Sequence, residues 1–182
     1  MRVITGKARG VSLKTPEGML TRPTADRVKE ALFSIIHFDI PGARALDLFG
    51  GTGQLGIEAL SQGAAQAVFV DAREEACRLI RENLTRTKLS GGTVVRADYM
   101  DYLRYLSTAR EKFDIIFLDP PYAETYLENA IKRITEIDIL QSNGIIVAER
   151  PLGKELPWEF GGYARSKDYK YGKTLLTIYR KV

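Results

Sequence analysis

Between residues 24 and 38 the apolar positions Val28, Ala31, Leu32, Ile35 and Ile36 fall at i, i+3, i+4, i+7 and i+8, which is one face of a helix. Thr24 stands where an N-cap belongs, and Asp26 lies in the first turn, where the helix dipole favours negative charge. Pro41-Gly42 breaks the pattern. Residues 43–49 then read as a strand, followed by glycines and a helix over 55–60 that stops at Gly63. The rhythm repeats. Residues 67–71 form a strand, 74–84 a helix with Ala76, Ile80 and Leu84 on one side, 93–97 a strand and 99–106 a short helix. Residues 113–119 are nearly continuously apolar, as in a strand buried on both faces of a parallel sheet. A helix over 126–137, a strand over 144–149 and two strands around Tyr171-Gly172-Lys173 complete the pattern, the last two as an antiparallel hairpin.

Strands alternating with helices predict a doubly wound, mostly parallel α/β sheet of seven strands with right-handed crossovers, closed by that hairpin. At 182 residues the chain makes one domain. No linker separates residues 1–42 from the core over 43–182, so the first part is expected to pack on the second.

Composition narrows the class. With 45% hydrophobic and 27% charged residues, the chain can fill a core and is not of the disordered type. No apolar run approaches the ~20 residues of a spanning helix, and the basic start lacks the apolar stretch of a secretory signal, so a cytoplasmic protein is expected. Cys77 alone makes neither an internal disulfide nor a metal site, and reads as a helical core residue. The net charge of +4 is unevenly spread. Residues 1–29 carry seven Lys/Arg against two acids and residues 163–182 six against one, while the middle is net acidic. Two basic ends suit contact with a polyanion; a solvated surface has the same composition.

Chemistry concentrates after the strands. Gly51, Gly53 and Gly56 match G-x-G-x-x-G where the first core strand gives way to a helix, and Asp71 ends the next strand. That pattern serves dinucleotides and other nucleoside ligands alike: backbone approaches the ligand closely, and the acid accepts from ribose hydroxyls. Asp98, just past the third strand, is placed either to accept from an adenine amine or to cap the next helix. Asp47, before the glycines, suits an ammonium or sulfonium and would repel a pyrophosphate.

Asp119-Pro120-Pro121-Tyr122 ends the most apolar strand, and sites in open α/β sheets lie outside the carboxyl ends of the strands. Neither proline has an N–H to donate, which leaves the Pro120 carbonyl free to accept. An exocyclic base amine is a poor nucleophile because its lone pair is delocalised into the ring. Acceptance of its two N–H bonds by Asp119 and the Pro120 carbonyl turns the nitrogen toward a pyramidal shape, while Tyr122 stacks on the base. Asp119 orients first and takes the proton afterwards.

On these motifs the chain resembles the RsmD family of S-adenosylmethionine-dependent 16S rRNA guanine-N2 methyltransferases. The segments that carry the likeness are Arg2 to Gly6 with Arg9-Gly10, Arg22 to Phe33, the loop from Asp47 to Gly56, Asp119 to Tyr122, and Tyr171 to Thr174. Gly51 stands where such loops more often have alanine, and Asp71 where glutamate is common. The resemblance implies a Rossmann-like class I methyltransferase fold with S-adenosyl-L-methionine as cofactor. It puts Asp47, Phe49, Gly51 and Gly53 around the donor's methionine half, Asp71 at its ribose and Asp98 with Tyr99 at its adenine. Asp119, Pro120, Pro121 and Tyr122 would hold the guanine. Thr24, Arg22 and Arg27 lie in a segment that covers the donor or touches RNA. Arg2, Lys7, Arg9, Lys14, Lys167, Lys170 and Lys173 are candidate phosphate contacts, which give affinity without base identity.

The expected partner is 16S rRNA within an assembled or assembling small ribosomal subunit, with no metal and no membrane, and the protein a monomer. Rival readings keep the chemistry and change the acceptor to an adenine-N6 amine in DNA or RNA or a glutamine-N5 amide in a protein. More distant ones are an NAD-binding oxidoreductase, which leaves Asp-Pro-Pro-Tyr unexplained, and a non-catalytic RNA-binding module.

Overall fold

The computed structural model describes residues 1–16, 23–121 and 125–182, with residues 23–25 by their backbone alone. Its elements in chain order are α1 (Pro23–Ile35), β1 (Arg44–Asp47), α2 (Gln54–Ser61), β2 (Gln66–Asp71), α3 (Glu74–Thr87), β3 (Gly92–Arg96), α4 (Tyr99–Ala109), β4 (Phe113–Leu118), α5 (Tyr126–Ile137), β5 (Leu140–Pro151), β6 (Glu159–Phe160), β7 (Tyr163–Tyr171) and β8 (Thr174–Lys181). The strands form one sheet in the order β3-β2-β1-β4-β5-β8-β7-β6. Pairing is parallel from β3 through β5 and antiparallel from β5 to β8, β8 to β7 and β7 to β6.

Helices cover both faces. Leu32 of α1, Ile57 of α2 and Ile80 of α3 pack with Phe69, Ile115 and Phe117 on one side. Leu103 of α4 and Ile131 and Ile134 of α5 pack with Leu46, Ile116 and Leu118 on the other. Central β4 contributes alternate residues to both layers, which is why its sequence is apolar throughout. The doubly wound reading therefore holds, with Cys77 buried as expected.

Three features differ from the pattern read along the chain. The first helix begins at Pro23, where a missing N–H costs nothing, so Thr24 lies inside the first turn rather than at the cap. It ends at Ile35, and Phe38 is 88% exposed. The sheet also gains an eighth strand, β6, whose two residues are too few to show any alternation.

Residues 1–16 pack on the core through buried polar groups. Val3, Ala8 and Leu13 join the α1–α3 side, with Arg2 bridged to Ser12. Fully buried Glu58 on α2 accepts from the Ile4 N–H at 2.8 Å and the Thr5 N–H at 2.9 Å. The Lys29 ammonium lies 3.6 Å from Glu58 and donates to the Arg2 carbonyl at 2.6 Å. Farther along, Asn83 on α3 accepts from the Lys14 N–H and donates to the carbonyls of Lys14 and Thr52. One amide thus ties this segment to the glycine loop. The β7–β8 hairpin turns through Gly172, at φ +59°, and its Tyr169 and Tyr171 pack on the same side of the sheet as residues 1–16. Lys167 and Tyr169 share that side, whereas Lys170 and Lys181 alternate to the other, so the basic end of the chain is divided between the two faces.

Candidate active site

Five carboxylates stand at or just past the carboxyl ends of the five parallel-paired strands: Asp47, Asp71, Asp98, Asp119 and Glu149. Each is placed there by the strand before it, and each has a different environment.

Asp47 is almost wholly buried, with 1% of its surface exposed. One oxygen accepts from the Gly56 N–H at 3.1 Å; the other, Oδ1, has no hydrogen-bond partner among the described residues. Burial pushes the carboxyl up to about 8, against the Gly56 hydrogen bond and reinforced by the negative charges of Asp119 and Asp71. The Gln54 side-chain oxygen is likewise buried and unpartnered. Two orphaned acceptors beside the glycine loop fit a ligand bearing positive charge and N–H donors.

The glycines have separate reasons. A Cβ on Gly56 would come within 2.3 Å of the Phe69 ring, and Gly53 adopts φ +79° against Ile57 and Ile80. These two are required by helix–sheet packing. A Cβ on Gly51, at φ +55°, would meet only the Phe49 carbonyl oxygen at 3.8 Å, an ordinary contact, so its reason is the turn. Its N–H donates to Asp71 Oδ2 at 3.0 Å, while Asp71 Oδ1 accepts from the Arg73 N–H. Asp71 therefore shapes the rim of the loop.

Asp98 caps α4, accepting from the Met100 N–H at 2.8 Å, and is exposed. Phe49, Tyr99 and Tyr126 make an aromatic cluster over the ends of β1, β3 and β4, with centroids 5.1 Å apart for Phe49–Tyr99 and 5.3 Å for Tyr99–Tyr126. The Tyr99 hydroxyl bonds to the Asn129 side chain.

Asp119 and Pro120 line a cavity of about 520 Å³ with Pro121, Glu149, Arg150 and Lys154. Burial holds Asp119 above the usual carboxylate range, and burial with the Asp119 charge does the same for Glu149. The buried Arg150 guanidinium is turned to Thr177, Asp168 and the Lys154 carbonyl.

The structure thus brings Asp47, Phe49, Gly51, Gly53, Asp71, Asp98, Tyr99, Asp119, Pro120 and Pro121 to one edge of the sheet. Tyr122 and Arg22 lie outside the described residues, as does the side chain of Thr24. Arg2, Lys7, Arg9, Lys14, Arg27, Lys167, Lys170 and Lys173 are all exposed. Lys14 pairs with Glu82 at 2.7 Å, and the Lys167 ammonium sits 5.1 Å from the centre of the Tyr169 ring. Gln54 and Glu149 were missed by sequence reasoning. The rule that singled out Asp119, an acid at the carboxyl end of a core strand, applies equally to Glu149.

A family model described as "Conserved hypothetical protein 95" matches residues 1–180. The chain is 41% identical over 182 residues to the Bacillus subtilis protein named "Putative rRNA methyltransferase YlbH", covering all of this chain and 99% of that one. It is 30% identical over 181 residues to the Escherichia coli "Ribosomal RNA small subunit methyltransferase D", covering all of this chain and 90% of that protein. The solved structure "Putative methyltransferase yhhF from Escherichia coli" superposes with a TM-score of 0.86 at 28% identity, over all of this chain and 97% of that one. The architecture is that of the class I methyltransferases, and the chain belongs to the RsmD family.

Proposed function

We propose that this protein is an S-adenosylmethionine-dependent rRNA methyltransferase that transfers a methyl group to the exocyclic N2 amine of one guanine in 16S rRNA, on the assembled or assembling small ribosomal subunit. The observation that carries the proposal is the placement of Asp119 and Pro120 in a cavity at the end of β4, next to Asp47 with its unpartnered buried oxygen. The names of the full-length relatives support rRNA as the substrate class.

Asp47 and Gln54 would hold the donor's cationic end, Gly51 and Asp71 its ribose side, and the Phe49–Tyr99 edge its adenine. When bound, S-adenosylmethionine supplies a methyl carbon on a sulfonium, whose C–S bond breaks with its electron pair returning to sulfur as the N–C bond forms. Asp119 and the Pro120 carbonyl accept the two N2 hydrogens and free the nitrogen lone pair from the ring. Asp119 then takes the proton that the alkylated nitrogen must lose. Its pKa, raised by desolvation at a half-buried position, suits that last step better than that of an exposed carboxylate would. Arg2, Lys7, Arg9, Lys167, Lys170 and Lys173 would meet RNA phosphates. Arg27 would meet either the donor or the RNA in this reading, and the active form is a cytoplasmic monomer.

Mass mapping of 16S rRNA from cells lacking the protein tests the reading. One N2-methylguanosine should be missing and should return with the unaltered gene but not with Asp119→Ala. An intact methylation pattern, or loss of a methyl from adenine, would overturn it.

A further inference from the structure

The acceptor cavity holds a second half-buried acid for which the transfer chemistry has no use. Leu118 of β4 pairs with Ala148 of β5, so Asp119 and Glu149 are the next residues along two adjacent parallel strands. Both line the same cavity of about 520 Å³. Adjacent strands lie about 4.8 Å apart. Two neighbouring atoms on one edge of a purine fit against acceptors at that spacing. Holding two half-buried acids side by side is unfavourable without a ligand, and burial with the Asp119 charge raises Glu149. No hydrogen bond to its carboxyl occurs among the described residues, and the guanidinium of Arg150, which lines the same cavity, is committed to Asp168 and Thr177. The other charged side chains lining the cavity are Glu128, Lys154 and Glu155.

We propose that Glu149 is the residue that reads guanine: it accepts the N1–H of the base whose N2 amine is held by Asp119 and Pro120. This rests on the guanine-N2 reading above and deepens it. On guanine's Watson–Crick edge the N2 amine is followed by N1–H and then O6, that is donor, donor, acceptor. A carboxyl next to Asp119 matches the second donor in either protonation state, and when protonated its hydroxyl also donates to O6. A purine with a bare N1 lone pair presents the wrong partner to the ionised acid; the neutral acid can donate to that N1, but it then makes one hydrogen bond where guanine's N1–H and O6 offer two. Either state favours guanine, because the analogue leaves a polar group of the site without its partner.

The test uses small ribosomal subunits reconstituted with 16S rRNA carrying guanine or 2-aminopurine at the methylated position. 2-Aminopurine keeps the exocyclic amine but lacks both N1–H and O6. The unaltered protein should prefer guanine by roughly 10²-fold or more in kcat/KM. Glu149→Met, which fills similar volume and removes the acid, should narrow that ratio to within about tenfold by slowing the guanine reaction. Glu149→Gln, with a carbonyl for N1–H and an amide N–H for O6, should keep most of the preference. Equilibrium binding of the two subunits, measured without turnover, should show the same ordering. S-adenosylmethionine affinity by calorimetry should be unchanged in both variants. Equal use of both bases by the unaltered protein, or a ratio untouched by Glu149→Met, would overturn the assignment while leaving guanine methylation standing. Absence of transfer to guanine by the unaltered protein would overturn the parent reading and this one together.

Discussion

Glu58→Gln removes one charge from a buried cluster that fastens residues 1–16 to the core. In the folded protein both Glu58 oxygens are used, one by the Ile4 N–H and the other by the Thr5 N–H and the Gln62 side chain. A glutamine presents N–H groups to one of these donors, so at least one backbone N–H loses its acceptor. It also leaves the Lys29 ammonium, 3.6 Å away and equally buried, without its counter-charge. Breaking a buried ion pair from one side costs about 3–5 kcal/mol. Here the lower end applies, because Lys29 keeps the Arg2 carbonyl and burial already pushes its pKa down, easing loss of its proton. About 3 kcal/mol in a domain of this length corresponds to a fall in Tm of roughly 6–12 °C. Lys29→Met should also destabilise, and the double variant should lose less than the two single losses added, since replacing both partners removes the uncompensated charge. Thermal unfolding followed by circular dichroism measures all three. A Tm within 2 °C of the unaltered protein for Glu58→Gln, or strict additivity in the double variant, would refute the reasoning.

Asp47 gives a pH signature. Its folded pKa of about 8 lies above the ordinary value of 3.8, so the folded state holds this proton more tightly than the unfolded chain. The stability that follows is complete below about 3.8, falls as pH rises toward 8 and is gone above it. Tm should therefore decline from pH 5 to pH 8, and Asp47→Asn should flatten that decline while weakening S-adenosylmethionine binding at least tenfold; an unchanged slope in the variant counts against the assignment. Gly56→Ala forces a Cβ against Phe69 and should cost about 1–3 kcal/mol in denaturant unfolding, whereas Gly51→Ala, strained only in φ, should cost about 1 kcal/mol. Equal losses at the two positions would contradict the packing account of the loop. Lys170→Ala with Lys173→Ala should weaken subunit binding and lower its salt dependence without altering donor affinity, and an unchanged salt slope would remove them from the RNA face.

Legibility followed physical locality. The helix faces of α1 and α3, the apolar run of β4 and the Gly172 turn were readable because each signal sits within one element. Asp47, Asp71 and Asp119 were readable because parallel strands end on a common edge. The Glu58–Lys29 cluster was not. A glutamate within a short helix has the same local pattern whether it faces water or accepts from Ile4, more than fifty residues away. Glu149 was missed for a different reason: it ends the strand read over 144–149, but no chemistry-bearing motif follows it as Pro-Pro-Tyr follows Asp119, and its nearness to Asp119 depends on the pairing of β4 with β5. Asp98 shows the limit from the other side, since its sequence setting suits a cap and an adenine contact equally, and the structure shows one carboxyl oxygen making the cap with the other outside any hydrogen bond among the described residues.

The central claim is that Asp119 and the Pro120 carbonyl direct a guanine N2 amine at a methyl donor held beside Asp47. It is tested most directly by incubating small subunits from cells lacking the protein with labelled S-adenosylmethionine and purified protein, then identifying the labelled nucleoside by mass spectrometry. The account predicts one N2-methylguanosine per subunit, absent with Asp119→Ala although that variant still binds the donor. Label on any other nucleoside, or undiminished label with Asp119→Ala, would contradict it.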